Sequence, residues 1–114
     1  MKKLGRQTAE LTRRPCVAAS AAVVGKREGE GPLVGCFDYV SADSYFGEKS
    51  WEAAESHMIR HAFTLACNKA GAAADALDII ISGDLLNQCV STAFAMKDTG
   101  SPYFGVYGAC STMA

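Results

Sequence analysis

Residues 77–107 have the sequence LDIIISGDLLNQCVSTAFAMKDTGSPYFGVY. The opening apolar run, 77–83, is rich in β-branched residues and ends at a glycine, which predicts a strand. The next segment, 87–97, has apolar residues at helical spacing and is followed by a glycine and a proline, which end helices. A second apolar run, 103–107, predicts another strand. Strand, helix and strand in this order predict a βαβ unit with parallel strands, and therefore an α/β fold.

The segment before this unit, 50–71, predicts a long amphipathic helix. Ser50 is of the residue type that caps a helix N-terminus, and Gly71 is of the type that ends a helix. Apolar residues between them cover a broad face. The opposite face carries Glu52, Ser56 and Arg60. Residues 72–76 are predicted to form a turn or a short helix.

The first third of the chain has weaker signals. Residues 1–14 are polar and are predicted to form a loose arm, whereas 16–24 is a continuous apolar run typical of a buried strand. Basic residues before an apolar run also occur in signal peptides, but this run starts at a proline and carries its Ala-x-Ala internally. We therefore interpret it as a strand. Residues 25–47 are glycine-rich and predict a long connection, with at most one short strand near 34–40.

Length and composition limit the possible classes of protein. The chain has 114 residues, 49% of them hydrophobic, and a net charge of -1. This size fits one domain at most, and the charge gives no field to attract nucleic acid or anionic lipid. The five cysteines show no zinc-type spacing, which suggests free thiols in an intracellular, reducing compartment. No apolar stretch reaches the roughly 18 residues of a membrane span, so we expect any membrane association to be peripheral.

Two other motifs are rejected as functional sites. The segment HMIRH at 57–61 places two histidines four residues apart on one helix face, as zinc hydrolases do, but the general-base position is Met58 and no third ligand is evident. We interpret these residues as partly exposed helix histidines and predict no metal site. The segment GEGPLVG at 29–35 is spaced wrongly for a dinucleotide loop, and no helix follows its proline.

The segment GACSTMA at 108–114 contains Cys110 among small residues just after a predicted strand. A cysteine at a tight strand-to-helix turn lies where backbone N–H groups and the helix dipole favour the thiolate. On residue type alone, a buried inert thiol and a reactive one both remain open.

Four segments together resemble one known family. They are GEGPL at 29–33, SWEAAE at 50–55, SGDLLNQ at 82–88 and YGACST at 107–112. In this order and at these spacings, they resemble the opening of the stage V sporulation protein AD family, and the resemblance extends from about Arg13 to the last residue.

The resemblance implies the first part of a thiolase-like fold, with βαβαβ units in a mostly parallel sheet, and hence a single partial domain over 1–114. It implies a sporulation protein that binds dipicolinic acid and supports its uptake with calcium into the developing spore. The implied partners are the stage V A membrane proteins, and a second copy in a homodimer of the full-length protein. It implies a peripheral location at the spore inner membrane, and no cofactor.

The resemblance also assigns site residues. Cys110 matches the acylated nucleophile of thiolases and ketoacyl synthases, and Ser111 lies beside it. The histidine or asparagine partners of that nucleophile come from a second half that this sequence does not contain, so Cys110 is treated as a landmark of a ligand pocket. Asp84 and Asn87, in the loop after the strand at 77–83, are further candidates for the pocket.

Three functions follow as alternatives. The favoured one is a ligand-binding sporulation protein without catalysis. The second is an acyltransferase with Cys110 as nucleophile, and the third is a truncated fragment without function. The helix expected to begin at Cys110 has too few residues to hold alone, and sheet edges and faces would be exposed. The sequence therefore predicts that the 114-residue chain alone is unstable, aggregates, or is a partial gene product.

Overall fold

The computed structural model describes residues 2–84, 86–108 and 112 of the chain. The strands are β1 Lys2–Leu4, β2 Thr8–Glu10, β3 Val23–Val24, β4 Tyr39–Val40, β5 Ile80–Gly83 and β6 Tyr103–Val106. The α-helices are α1 Lys26–Gly29, α2 Trp51–Ala70 and α3 Val90–Met96. Short 3-10 helices occupy Val34–Cys36, Ala74–Ala76 and Asn87–Cys89. This mixed arrangement confirms the predicted α/β class.

The βαβ unit predicted from residues 77–107 is present. Strands β5 and β6 are parallel, with a register that runs from Ile80 opposite Tyr103 to Gly83 opposite Val106. The predicted helix over 87–97 is interrupted near its start, because Gln88 and Cys89 both have left-handed backbone angles, with φ of 60° and 56°. Only Val90–Met96 therefore forms a regular α-helix.

Helix α2 has the predicted ends. The Ser50 side chain accepts a hydrogen bond of 3.2 Å from the Ala53 N–H, and Gly71 follows the last turn with a φ of 64°. That backbone angle suits glycine because it lacks a Cβ. The predicted apolar face is only partly buried: Ala54 is fully covered, whereas Trp51 is exposed and stacks on Tyr45, with ring centroids 4.1 Å apart.

The hydrophobic core lies between α2 and the βαβ unit. Ile80 of β5 packs with Ala95 and Met96 of α3. Partly buried apolar side chains surround these three residues, namely Ile59, Phe63, Leu77 and Tyr103. One face of the β5–β6 pair is thus covered by helices. Its other face exposes Ile79, Ile81 and Phe104.

The first third of the chain departs from the prediction. The expected strand over 16–24 is wrong for most of its length, since only Val23–Val24 pair with a strand and Val17 is 88% exposed. The reason is that the partner, β4, is itself two residues long. Residues 20–22 are instead held by side chains: Lys69 Nζ donates to the Ser20 carbonyl at 3.0 Å, and Ala22 N donates to Asp38 at 2.8 Å.

The polar N-terminal segment, predicted to be a loose arm, contains a short hairpin. Strands β1 and β2 pair as an antiparallel hairpin, with Gly5 in the left-handed region between them. The residues of both strands are exposed. Further along, the long connection predicted over 25–47 contains the four-residue helix α1 as well as the short strand β4. No helix within the described residues is long and apolar enough to cross a membrane.

Candidate functional site

A buried carboxylate lies at the carboxyl end of β5. Asp84 follows the last strand residue and is only 5% exposed. Its Oδ2 atom accepts a hydrogen bond of 2.8 Å from the Thr92 backbone N–H and one of 2.9 Å from the Thr92 hydroxyl. Thr92 lies in the first turn of α3, where N–H groups lack partners within the helix. Asp84 therefore caps α3 from outside the helix and fixes it over the end of the strand.

The second oxygen of this carboxylate has no such partner. Within the described residues, three buried side-chain atoms make no hydrogen bond: Asp84 Oδ1, Ser91 Oγ and the Tyr103 hydroxyl. A buried polar atom without a partner costs about 1–3 kcal/mol. Such atoms are rare in folded proteins and mark places where a water, an ion or a ligand supplies the missing partner.

Tyr103 and Cys89 lie beside Asp84. The Cys89 thiol is buried and donates to the Val106 carbonyl of β6, with a distance of 3.2 Å between sulfur and oxygen. Burial is the main cause that raises the pKa of Tyr103 above its usual value; the nearby Cys89 raises it further, the adjacent Thr92 side chain lowers it, and Asp84 raises it. The Tyr103 hydroxyl therefore stays protonated at neutral pH.

Two glycines make room at this end of the sheet. A Cβ atom at Gly83 would overlap the Val106 carbonyl and the side chain of Thr112, so only glycine fits there. A Cβ atom at Gly105 would lie 2.7 Å from the Tyr103 hydroxyl. Thr112 thus lies over the end of β5, and its hydroxyl accepts a hydrogen bond of 3.1 Å from Gly108 N.

Helix α3 is held from its other side by polar residues of α2. The Ser56 hydroxyl donates to the Ser91 carbonyl at 2.7 Å. Arg60 donates through Nε to the Ala95 carbonyl at 3.2 Å and through Nη2 to the Phe94 carbonyl at 3.0 Å. The last carbonyl groups of a helix lack donors within the helix, and Arg60 supplies two of these donors for α3. The polar face of α2 thus positions α3, and with it Thr92 and Asp84.

Of the four predicted site residues, the structure positions Asp84. Cys110 and Ser111 lie outside the described residues, and so does the side chain of Asn87, whose backbone begins the 3-10 helix Asn87–Cys89. Whether these residues form one pocket with Asp84 stays a prediction.

The two helix histidines have a packing role. Phe46 is buried against both imidazoles, with ring centroids 5.2 Å from His57 and 6.3 Å from His61. His57 Nδ1 also lies 3.1 Å from a carboxylate oxygen of Glu48. Among residues 2–84, 86–108 and 112, no three His, Cys, Asp or Glu side chains are grouped as a metal site would require.

An open cleft of about 590 Å³ runs between α2 and α3. Its lining includes His57, Arg60, Val90, Phe94 and Lys97. Asp84 and Tyr103 do not line it. The cleft is therefore separate from the buried polar cluster at the strand ends, which consists of Asp84, Cys89, Thr92 and Tyr103.

Thr92, Tyr103 and Cys89 also belong to this polar cluster, which the sequence does not predict. Local patterns place Thr92 only within a predicted helix, and Tyr103 only within a predicted strand. Their positions depend on the register of β5 with β6 and on the path of residues 86–89, which local patterns do not encode. A polar residue directly after a buried strand, as at Asp84, was the one usable signal.

The structure contains a parallel βαβ unit with a buried carboxylate at its strand ends. The chain is therefore an α/β protein with polar groups at the carboxyl edge of its sheet. The family model of stage V sporulation protein AD matches residues 5–114. The chain therefore belongs to the stage V sporulation protein AD family, which places it among sporulation proteins.

A curated relative agrees with this assignment. The chain is 33% identical over 112 residues to stage V sporulation protein AD of Bacillus subtilis (strain 168). The alignment covers 98% of this chain and 33% of the relative. The chain thus spans about a third of the length of the curated relative that it matches.

Proposed function

We propose that this protein binds dipicolinic acid and supports its uptake with calcium into the developing spore, on a thiolase-like scaffold without catalysis. Membership of the sporulation family supports the biological setting. The observation that carries the proposed site is the half-paired carboxylate of Asp84: Thr92 holds Oδ2, and Oδ1 is left without a donor among the described residues. The proposed pocket comprises Asp84, Asn87, Cys110 and Ser111.

The position of Asp84 suits ligand binding. Ligands of open α/β sheets bind beyond the carboxyl ends of the strands. Calcium prefers oxygen ligands, above all carboxylates, which agrees with a ligand that is transported together with calcium.

The proposed partners follow from the same family. They are the stage V A membrane proteins, with the protein peripheral at the spore inner membrane, and a second copy of the full-length protein in a homodimer. These proposals are tested separately from the ligand, by co-purification from sporulating cells and by sedimentation.

Equilibrium dialysis tests the ligand. In the presence of calcium, dipicolinate should bind saturably to the purified protein, whereas benzene-1,3-dicarboxylate, which lacks the ring nitrogen, serves as the matched control ligand. The Cys110→Ala variant should bind dipicolinate more weakly than the wild type, because Cys110 belongs to the proposed pocket. Equal retention of both compounds would contradict a specific site.

The alternative of an acyltransferase predicts a different result. Incubation with acyl-coenzyme A would then add an acyl mass to Cys110, and the Cys110→Ala variant would lack it. Mass spectrometry of the intact protein measures this directly. An adduct at Cys110 would overturn the proposal of a non-catalytic scaffold.

A further inference from the structure

The cleft between α2 and α3 exposes apolar side chains on a concave surface. On the α3 side, Val90 is 39% exposed and Phe94 is 60% exposed. On the α2 side, the lining includes the small residues Ala53 and Ser56, so another molecule can approach this helix closely. Apolar side chains grouped in an exposed concave surface mark a site of interaction.

The two ends of this cleft carry opposite charges. Glu48 and Glu52 lie at the end where α2 begins. Arg60 and Lys97 lie at the other end, since Arg60 binds the last carbonyls of α3 and Lys97 follows that helix. Asp98 lies 3.7 Å from Arg60 but does not line the cleft. Positions 52 and 60 of α2 are eight residues apart, so the acidic and basic ends are separated by about 12 Å.

Glu52 and Lys97 are the charges that the fold leaves available for a contact at the two ends. Glu48 is paired with His57, at 3.1 Å. Within the part of the chain that the structure describes, neither Glu52 nor Lys97 takes part in an ion pair. Both residues are exposed and line the cleft. A surface of complementary charge can therefore pair with both of them without breaking an existing ion pair.

We propose that a second copy of this chain occupies the cleft, in a two-fold contact that places Glu52 of each copy against Lys97 of the other. In a two-fold contact the same surface faces itself, so residue i meets residue j and j meets i. An antiparallel approach of two such clefts brings each acidic end to a basic end and the exposed Val90 and Phe94 side chains between them. The cleft is thus complementary in charge to itself. Asp84 takes no part in this contact, so the contact is independent of dipicolinate binding.

Charge exchange tests the contact. Glu52→Lys and Lys97→Glu each make both charge pairs of the dimer repulsive, so either variant alone should dimerise about tenfold more weakly than the wild type. An equimolar mixture of the two variants contains two attractive pairs per mixed dimer and should recover most of the dimer. Sedimentation velocity over a concentration series, without ligand, measures the dimer fraction. All chains carry Ile81→Thr and Phe104→Thr, which remove the apolar side chains of the exposed sheet face.

Glu55→Lys is the matched control, because it makes the same change of charge on α2 but lies outside the cleft, and it should leave dimerisation unchanged. Circular dichroism checks that each variant is folded before it is compared. Unchanged dimerisation of Glu52→Lys and Lys97→Glu, or no recovery in their mixture, would overturn the proposal. So would a monomer in the background that keeps both charges, which would assign the cleft to a different occupant. Absence of dipicolinate binding would contradict the proposed function and leave this contact unaffected.

Discussion

Asp84 stabilises the fold and is also a residue of the proposed ligand pocket. Its Oδ2 atom caps α3 through Thr92, and its buried Oδ1 atom makes no hydrogen bond with the described residues. Substitution there lowers stability, so a stability measurement is needed before a loss of binding is interpreted.

Replacing Asp84 by alanine leaves the Thr92 N–H and hydroxyl without an acceptor. We expect the free energy of unfolding to fall by about 1–3 kcal/mol. Asp84→Asn keeps an acceptor oxygen for Thr92 and should lose less than Asp84→Ala. Urea unfolding followed by circular dichroism measures both variants. Equal losses in the two would contradict a capping role that depends on the acceptor oxygen.

At the scale of secondary-structure elements, α3 is a short helix that depends on its neighbours. Asp84 holds its first turn, and Ser56 and Arg60 of α2 bind its carbonyls. A seven-residue helix is too short to be stable by itself, so these contacts and the core at Ala95 and Met96 determine its position.

The Arg60→Met variant keeps much of the aliphatic chain and removes both hydrogen bonds to α3. We expect a decrease of about 1–2 kcal/mol in the free energy of unfolding. The matched control is Arg13→Met in the exposed N-terminal segment, which should change little. Thermal or urea unfolding of the two variants distinguishes them, and an equal effect would refute the positioning role of Arg60.

The segment before β3 is held to α2 by Asp38 and Lys69. The hydrogen bond from Lys69, and then that from Ala22 N, lower the pKa of Asp38 below its ordinary value. Asp38 therefore contributes stability above its unfolded-state pKa, and this contribution is lost as the pH falls through the lower folded-state pKa.

The difference in stability between the wild type and Asp38→Asn should accordingly shrink as the pH is lowered from neutral into the acid range. Unfolding curves at a series of pH values measure it. Asp78→Asn, at an exposed position before β5, serves as the control. A difference that is independent of pH would contradict the pairing of Asp38 with Lys69.

Elements with strong local signals were predictable from the sequence. The capping residues Ser50 and Gly71 predicted the two ends of α2 correctly. The β-branched run before Gly83 predicted β5. The strand predicted over 16–24 was wrong for most of its length, because a strand exists only where a partner strand pairs with it. The partner, β4, pairs with only two of these residues. The sequence did not predict that Ser56 and Arg60 bind the carbonyls of α3, because a polar helix face can contact either solvent or another helix.

The candidate site was predictable only in part. The family resemblance predicts Asp84 as a pocket residue, and the structure places it, buried, directly after β5. Its assignment to the pocket stays a prediction. Thr92 and Tyr103 reach it through tertiary packing, so no sequence spacing predicts them. The assignments of Cys110, Ser111 and Asn87 to the pocket remain predictions.

At the scale of the whole molecule, one face of the central strand pair is exposed. Ile81 is 65% exposed and Phe104, its register partner on β6, is 58% exposed. Adjacent exposed apolar residues on a sheet promote association. This observation agrees with the prediction that the 114-residue chain aggregates.

We expect the purified chain to associate increasingly with concentration, and the double variant Ile81→Thr, Phe104→Thr to remain dispersed at higher concentrations. Threonine suits exposed strand positions and removes the apolar surface. Sedimentation velocity measures the association. Leu33→Thr, which also removes an exposed apolar side chain but lies outside this sheet, should associate as the wild type does. A monomeric wild type with a cooperative unfolding transition would contradict the prediction.

We propose that this protein binds dipicolinate at the carboxyl edge of β5 and β6. Isothermal titration of dipicolinate, in the presence of calcium, into the wild type and into Asp84→Ala checks this proposal, the variant being used under conditions where circular dichroism shows it folded. We expect saturable binding with one site per chain for the wild type, and binding at least tenfold weaker for the variant. No heat of binding with the wild type, or equal affinity in the folded variant, would contradict it.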